Sequence, residues 1–460
     1  MKKLMLICAP VTSRSGYGSH ARDLVQSFLD SDKYDIKILD VRWGECPRNA
    51  LDKNNIRDKQ IIDCILPHPQ MDRQPDVYVD IRIPNEFETH GKVNIGITAG
   101  IETNAVSQAW LEGCNKMHLN IVPSEHSKYG FVNSVYDKVQ QLPDGKQQKV
   151  GEMKLEKPME VVFEGSNEDI YKPLTVDEID SDFFDMLNEK VPEKFAFLSV
   201  GQWTKGGYGE DRKDLGRTIK VFYETFANKK KQPSLILKTS GATYSLLDRE
   251  DILNKIKLVK SQFPFDWKLP NVYLLHGDLS GKEMNYLYNH PKVKAFVSLT
   301  HGEGYGRPLQ EATMVGLPVI ATNWSGHIDF LDTEKSILLS GKLQQVPKSQ
   351  RWKDIIIEQS QWFEVDELQA SKALTFVFEN EYEVKNKAKS LMDINRNKFT
   401  HKKMTELLNN IVDKYTESIP SQVNLNLPKL KKVESSENKE LSKIKLPKLK
   451  KVTEQTGAPV

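Results

Sequence analysis

Residues 301–331 read HGEGYGRPLQEATMVGLPVIATNWSGHIDFL, and no other stretch constrains the fold as much. The apolar run Ala295-Phe296-Val297-Ser298 just before it has the character of a buried parallel strand. Gly302, Gly304 and Gly306 then alternate, making a loop in which bare backbone N–H groups approach a ligand closely. Pro308 suits the first turn of a helix, where its missing N–H costs nothing. Leu309, Ala312 and Thr313 continue at helical spacing to Gly316, a helix stop, and Leu317–Thr322 is the next strand. The unit is strand, glycine loop, helix, strand. A helix N-terminus facing such a loop is a site for an anionic or polyhydroxylated ligand.

Strand and helix alternate elsewhere too. The amino-terminal part offers strands at Lys2–Ala9, Tyr34–Val41, Val77–Ile83, Val93–Ala99 and Met159–Glu164, with a helix at Ala21–Leu29. The second part offers strands at Phe195–Val200, Leu235–Thr239, Val272–Leu275 and Ala295–Ser298. This alternation predicts α/β architecture, parallel sheets with helices on both faces and ligands beyond the carboxyl ends of the strands. Three loops lie at such ends: the one with Gly16 and Gly18, the one with Arg212 and Lys213, and the one with Glu303. Arg212-Lys213 before a helix suits a diphosphate, the Arg as a fork and the Lys as a point charge, and Asp214 is placed to cap that helix.

Glu303 and Glu311 are separated by seven residues, one at the loop mouth and one about two turns along the helix. A bare E-x7-E occurs by chance. Set within GEGYGRPLQEA…GLPVIAT, it resembles the element of retaining glycosyltransferases of the GT-B fold, the family-4 (glycosyl transferases group 1) type. The resemblance implies two Rossmann-like doubly wound parallel-sheet domains facing a central cleft. It also implies transfer of a hexose or similar sugar from a nucleotide-diphosphate sugar with retention. Glu303 and the amides of Gly304, Tyr305 and Gly306 would hold the donor sugar, and Glu311 the ribose. Arg212 and Lys213 would take the diphosphate, with the Gly16 and Gly18 loop facing it. No metal and no cofactor are implied beyond this co-substrate.

The chain departs from the family pattern at two places. Many relatives carry a histidine after the strand matching Val93–Ala99; here Glu102 is the nearest polar candidate for the acceptor side, a helix-entry carboxylate being the other reading. The family's arginine after the strand-end glycine is Gln202 here, with Lys205 or Arg212 as substitutes. His126 reads as structural. A same-fold phosphorylase or sugar-phosphate synthase, and a non-catalytic sugar-nucleotide-binding scaffold, are the alternative functions.

The expected organisation is a first domain over 1–173, an acidic linker over 174–193, a nucleotide-sugar domain over 194–385, helices over 386–418 crossing back to the first domain, and a tail over 419–460. Asp180-x-Asp182 falls in the linker, away from any strand end, and reads as a surface acidic run. The 460 residues hold no apolar run of 18 or more, so no transmembrane helix is expected, and Met1–Pro10 reads as a first strand rather than a signal peptide. Four cysteines without metal or framework spacing fit a reducing cytoplasm. In the tail, LPKLKKV occurs verbatim at 427–433 and at 446–452. Residues 427–452 contain nine Lys and three Glu, a net charge of +6 against +2 for the whole chain. That concentration predicts a disordered docking element for an acidic protein, anionic lipid or nucleic acid, a solubilising tail being the plainer reading. The acceptor classes open to such an enzyme are glycan, protein, lipid and nucleic acid.

Overall fold

The computed structural model describes residues 2–141, 147–204, 208–241, 243–417 and 419; the repeated basic segment and Lys205 lie outside them. Strand β1 (Lys3–Ala9) buries six of its seven residues. A strand buried on both faces needs covering helices, and so parallel neighbours reached by crossovers. The chain continues with α1 (Gly16–Ser31), β2 (Tyr34–Asp40), α2 (Ile56–Cys64), β3 (Val77–Ile81), β4 (Val93–Ile97), α3 (Gln108–Lys116), β5 (Leu119–Val122) and α4 (Glu125–Asn133). An antiparallel hairpin of β6 (Tyr136–Gln141) and β7 (Gln147–Met153) follows, then β8 (Met159–Val161). Six of these strands form one parallel sheet in the order β2-β1-β3-β4-β5-β8. The hairpin is an addition to the predicted strands: it is largely exposed, so it carries no buried apolar face to announce it.

Helix α5 (Ser181–Lys190) lies inside the stretch expected to be a linker. Its Phe183 and Leu187 are buried in the core of the second domain, and the Asp180 carboxylate caps it by accepting from Phe183 N at 3.1 Å. Next come β9 (Ala196–Gln202), α6 (Leu215–Phe226), β10 (Ser234–Ser240), α7 (Leu246–Lys260), β11 (Val272–Leu275) and α8 (Gly281–Asn289). They are followed by β12 (Val293–Ser298), α9 (Arg307–Met314), β13 (Val319–Thr322) and β14 (Ile337–Leu339). The second parallel sheet has the order β11-β10-β9-β12-β13-β14. A short antiparallel pair, β15 (Gly341–Gln345) with β16 (Gln361–Val365), and three helices, α10 (Glu367–Glu379), α11 (Glu381–Lys398) and α12 (His401–Thr416), complete the described chain.

Helix α12 packs on the first domain. Its Met404, Leu408, Ile411 and Val412 share a core with Leu24, Val25 and Phe28 of α1, each fully buried aliphatic contributing about 1.5–3 kcal/mol. Where the chain leaves the first domain and where it returns, the two segments pair: Ser166 N donates to Phe399 O at 3.0 Å and His401 N to Ser166 O at 2.7 Å. No helix among the described residues is long and apolar enough to cross a membrane.

Both sheets change direction beside their first strand. In the second, β9 is followed by β10 and β11 on one side, and β12 then returns to its other side. The loops after β9 and β12 therefore part at the carboxyl edge, the position where ligands enter such sheets. In the first sheet β1 lies between β2 and β3, and the loop after β1 opens in the same way.

Candidate active site

The loops after β9 and β12 meet at Glu303. Its carboxylate accepts from Lys213 Nζ at 2.6 Å and from Arg212 Nη1 at 2.9 Å. Burial works to raise the pKa of this side chain, but the adjacent Lys213 and Arg212 charges outweigh it and bring it down to about 2. The two loops are also tied by backbone, since His301 N donates to Arg212 O at 2.8 Å and Arg212 Nη1 to Gly302 O at 3.0 Å. Glu303 N donates to Ser325 Oγ at 2.9 Å, and Gly326 N to Glu303 O at 2.9 Å. Held from both sides, Glu303 has little freedom to leave its place.

Asp214 does not cap α6 with its side chain, contrary to expectation. Its backbone is left-handed (φ 49°), and its carboxylate turns to Arg217 Nε at 2.6 Å. Asp211 Oδ2 accepts from Leu215 N instead, at 3.4 Å.

The glycines of the β12–α9 loop have a use the sequence does not disclose. A Cβ on Gly302 would lie 2.1 Å from Glu102 O, and one on Gly304 would lie 2.2 Å from Ala99 O. Both carbonyls belong to the first domain, so these positions are bare because the two domains touch there, backbone to backbone. Ser124 Oγ–H closes the contact by donating to Gly304 O at 2.6 Å. Gly306, with φ +101°, turns the chain into α9.

The loops enclose a cavity of about 450 Å³ between the domains. Of the predicted residues, Gly16, Glu102, Arg212, Lys213, Glu303, Gly304, Tyr305 and Gly306 border it. Glu102 stands on the opposite lip, its Oε1 3.4 Å from Arg212 Nε. The Tyr305 ring is committed to the core against Phe330, and its hydroxyl accepts from Gln310 Nε2 at 2.6 Å. Gly18 does not border the cavity: it is the place where α1 passes the preceding loop, and a Cβ there would lie 2.2 Å from Ser13 O.

Glu311, expected at the ribose, does not border this cavity. It is buried behind the loop and accepts from Tyr288 Oη at 3.0 Å. Burial pushes its pKa up to about 7 in spite of Arg307 nearby. His126 packs edge-on to Trp324, ring centroids 4.6 Å apart, and burial takes its pKa down to about 4.

Other residues at the cavity carry no motif. Gln202 donates to Gly241 O. Arg307 bridges the domains, pairing with Asp23 at 2.6 Å and Glu164 at 3.4 Å. Arg14 of the first domain pairs with Asp278 of the second at 3.0 Å. Lys238 of β10 and Tyr244 complete the second domain's wall, and Trp43 stacked on Tyr17 at 3.9 Å faces them from the first domain. The available signal for Lys238 was a lone charge inside the apolar strand LILKTS.

No family model matches the sequence, and no curated protein matches it. Solved structures do match in fold. Anabaena HepE in complex with UDP-glucose is similar with a TM-score of 0.56 at 11% identity, over 90% of this chain and 100% of that one. Sucrose-phosphate synthase from Thermosynechococcus elongatus gives a TM-score of 0.60 at 10% identity, over 91% and 100%. A glycosyltransferase from Rickettsia africae gives 0.56 at 12% identity, over 91% and 99%. Likeness at this identity establishes the fold, the two-domain GT-B arrangement of paired parallel sheets.

Proposed function

We propose that the chain is a retaining glycosyltransferase of the family-4 type, moving a hexose or related sugar from a nucleotide-diphosphate sugar to an acceptor without a metal. The observation that carries the reading is the triad of Glu303, Lys213 and Arg212 at the switch point of the second sheet. The E-x7-E resemblance supports it, as does the fold shared with a protein solved with UDP-glucose.

An ammonium has three donors and a guanidinium five. Lys213 and Arg212 therefore keep N–H groups free for a diphosphate while still holding Glu303. As the bond from the anomeric carbon to the phosphate oxygen breaks, negative charge grows on the leaving diphosphate. These two cations and the loop amides of Gly304, Tyr305 and Gly306 meet it in place, without reorganisation. Glu303, ionised and fixed, positions the sugar hydroxyls. Glu102, across the cleft, is assigned to the incoming acceptor hydroxyl. With no separate base assigned, the leaving phosphate oxygen takes the acceptor proton on the face it has just left, and configuration is retained.

The test is a panel of UDP-, GDP-, ADP- and CDP-linked sugars incubated with the full chain, reading released nucleotide and the anomeric configuration of the product. Turnover of at least one donor with retention is expected. Absence of turnover and of binding across the panel would sink the proposal, and an inverted product would remove its mechanism.

A further inference from the structure

With one exception among the described residues, every Arg and Lys bordering the cavity is matched by a carboxylate. Arg212 and Lys213 face Glu303, Arg307 faces Asp23 and Glu164, and Arg14 faces Asp278. Lys238 is the exception. It is 8% exposed, and its Nζ donates to Gly277 O at 2.7 Å and lies 5.4 Å from the centre of the Tyr244 ring. Burial lowers its pKa, with Asp278 acting the other way from beyond ion-pairing distance. A charge without a counterion in a central parallel strand is costly where a methionine of similar length would pack freely. One of its three donors is taken by Gly277 and two remain.

Its place along the sheet edge says what those donors meet. The strands run β12, β9, β10, β11, about 4.8 Å apart. Glu303 follows β12. The Lys213 side chain lies over Gly201 near the end of β9, where a Cβ would sit 3.1 Å from its methylenes. Lys238 belongs to β10, level with Val200 and Leu275, and Gly277 follows β11. A nucleotide sugar with its sugar at Glu303 and its diphosphate at Lys213 and Arg212 thus carries its nucleoside over β10 and β11. The ribose spans the first interval, and the far edge of the base arrives at Lys238. Tyr244, 44% exposed and bordering the cavity beside Lys238, offers a ring face on which that base can stack.

We propose that Lys238 reads the nucleobase of the donor, selecting a keto oxygen (O4 of uracil or O6 of guanine) over the amino group that cytosine and adenine carry at the same edge. This rests on the donor-site assignment above. The chemistry is one-sided: an ammonium only donates, so a keto oxygen shares it with Gly277 O, whereas an amino group sets donor against donor and leaves the charge unmet.

Calorimetric titration of the full chain with UDP, GDP, CDP, ADP and inorganic pyrophosphate tests it. UDP and GDP should bind at least about tenfold tighter than CDP and ADP, and Lys238→Met should bring all four within about threefold while leaving pyrophosphate unchanged. The wild-type contrast of UDP with CDP, which differ at the O4 edge, decides the matter even if the variant does not fold. Equal binding of those two overturns the inference but leaves the donor site standing. Equal weakening of all four nucleotides and of pyrophosphate by Lys238→Met also overturns it, making Lys238 a phosphate contact. Binding of none of the nucleotides by the wild type takes down the donor site and the inference together.

Discussion

Glu303 and Glu311 lie in one stretch of chain, carry the same side chain, and are 5% and 8% exposed, yet their surroundings drive them in opposite directions. Two cations grip Glu303 at the cavity, and its pKa sits near 2. Behind the loop, Glu311 has a tyrosine hydroxyl for a partner, and burial takes it to about 7. Burial alone does not decide the charge of a carboxyl; what decides it is whether a cation was buried with it. Glu303 is thereby equipped to organise a polar ligand, and Glu311 to keep its proton further up the pH scale as a hydrogen-bonded member of the packing beneath.

The largest effect expected to separate the two is on stability as a function of pH. Glu311 ionises at about 4.5 when unfolded and at about 7 when folded, so its contribution is full below 4.5 and declines as pH rises to 7. The stability of Glu311→Gln relative to wild type should therefore climb by about 3 kcal/mol between pH 4 and pH 8. Glu303 has the mirror-image dependence: its contribution is present above 4.5 and is lost as pH falls towards 2. Thermal melts of both Gln variants across pH 2.5–8 would show curves of opposite slope on either side of pH 4.5, and parallel curves would erase the contrast.

Turnover comes next. On the proposed function, Glu303→Ala removes a charged partner of the donor sugar, worth roughly 1.5–3 kcal/mol, and should lower turnover at least about tenfold with the fold intact by circular dichroism. Glu311→Gln should stay within about twofold of wild type in both turnover and UDP affinity, since Glu311 does not border the cavity and a Gln oxygen can still accept from Tyr288 Oη. A larger loss of UDP affinity in Glu311→Gln than in Lys213→Met would give Glu311 the ribose role.

A smaller sharpening concerns the cations around Glu303. Because Lys213 and Arg212 are assigned the leaving-group charge, activity should survive EDTA; loss restored by Mg²⁺ or Mn²⁺ would show that they do not suffice. The least effect on chemistry is expected from the basic repeat. Truncation after Ile419 should leave turnover of a small acceptor unchanged while weakening, in a salt-dependent way, association with anionic targets such as phosphatidylserine vesicles or polyglutamate. Equal, equally salt-sensitive binding by the truncated chain would remove the docking role.

Much of this architecture could be anticipated from local chemistry. The apolar runs of 295–298 and 317–322, the glycines between them and Pro308 specify a βαβ unit whatever surrounds it, because strand burial, loop geometry and helix initiation are settled within a few residues. The helix at 181–190 was legible as well, with Asp180 as its cap and Phe183 and Leu187 one turn apart, but its acidic composition suggested a linker. The sequence also put Arg212, Lys213 and Glu303 on loops at strand ends, which is enough to bring them to one edge of a sheet.

What the tertiary structure alone decided is which partners those groups have. Glu311 points to Tyr288 and not to the cavity because a segment of α8 packs behind α9, a fact with no local trace. Gly302 and Gly304 are bare because carbonyls of Glu102 and Ala99, two hundred residues away in sequence, press against them. Lys238 matters because it is the cavity cation that no described carboxylate matches, and a missing partner is a property of the whole surroundings, never of the strand that carries the charge. Secondary structure follows from neighbours along the chain, so sequence specifies it; charge state and steric allowance follow from neighbours in space, and only the folded chain assembles those.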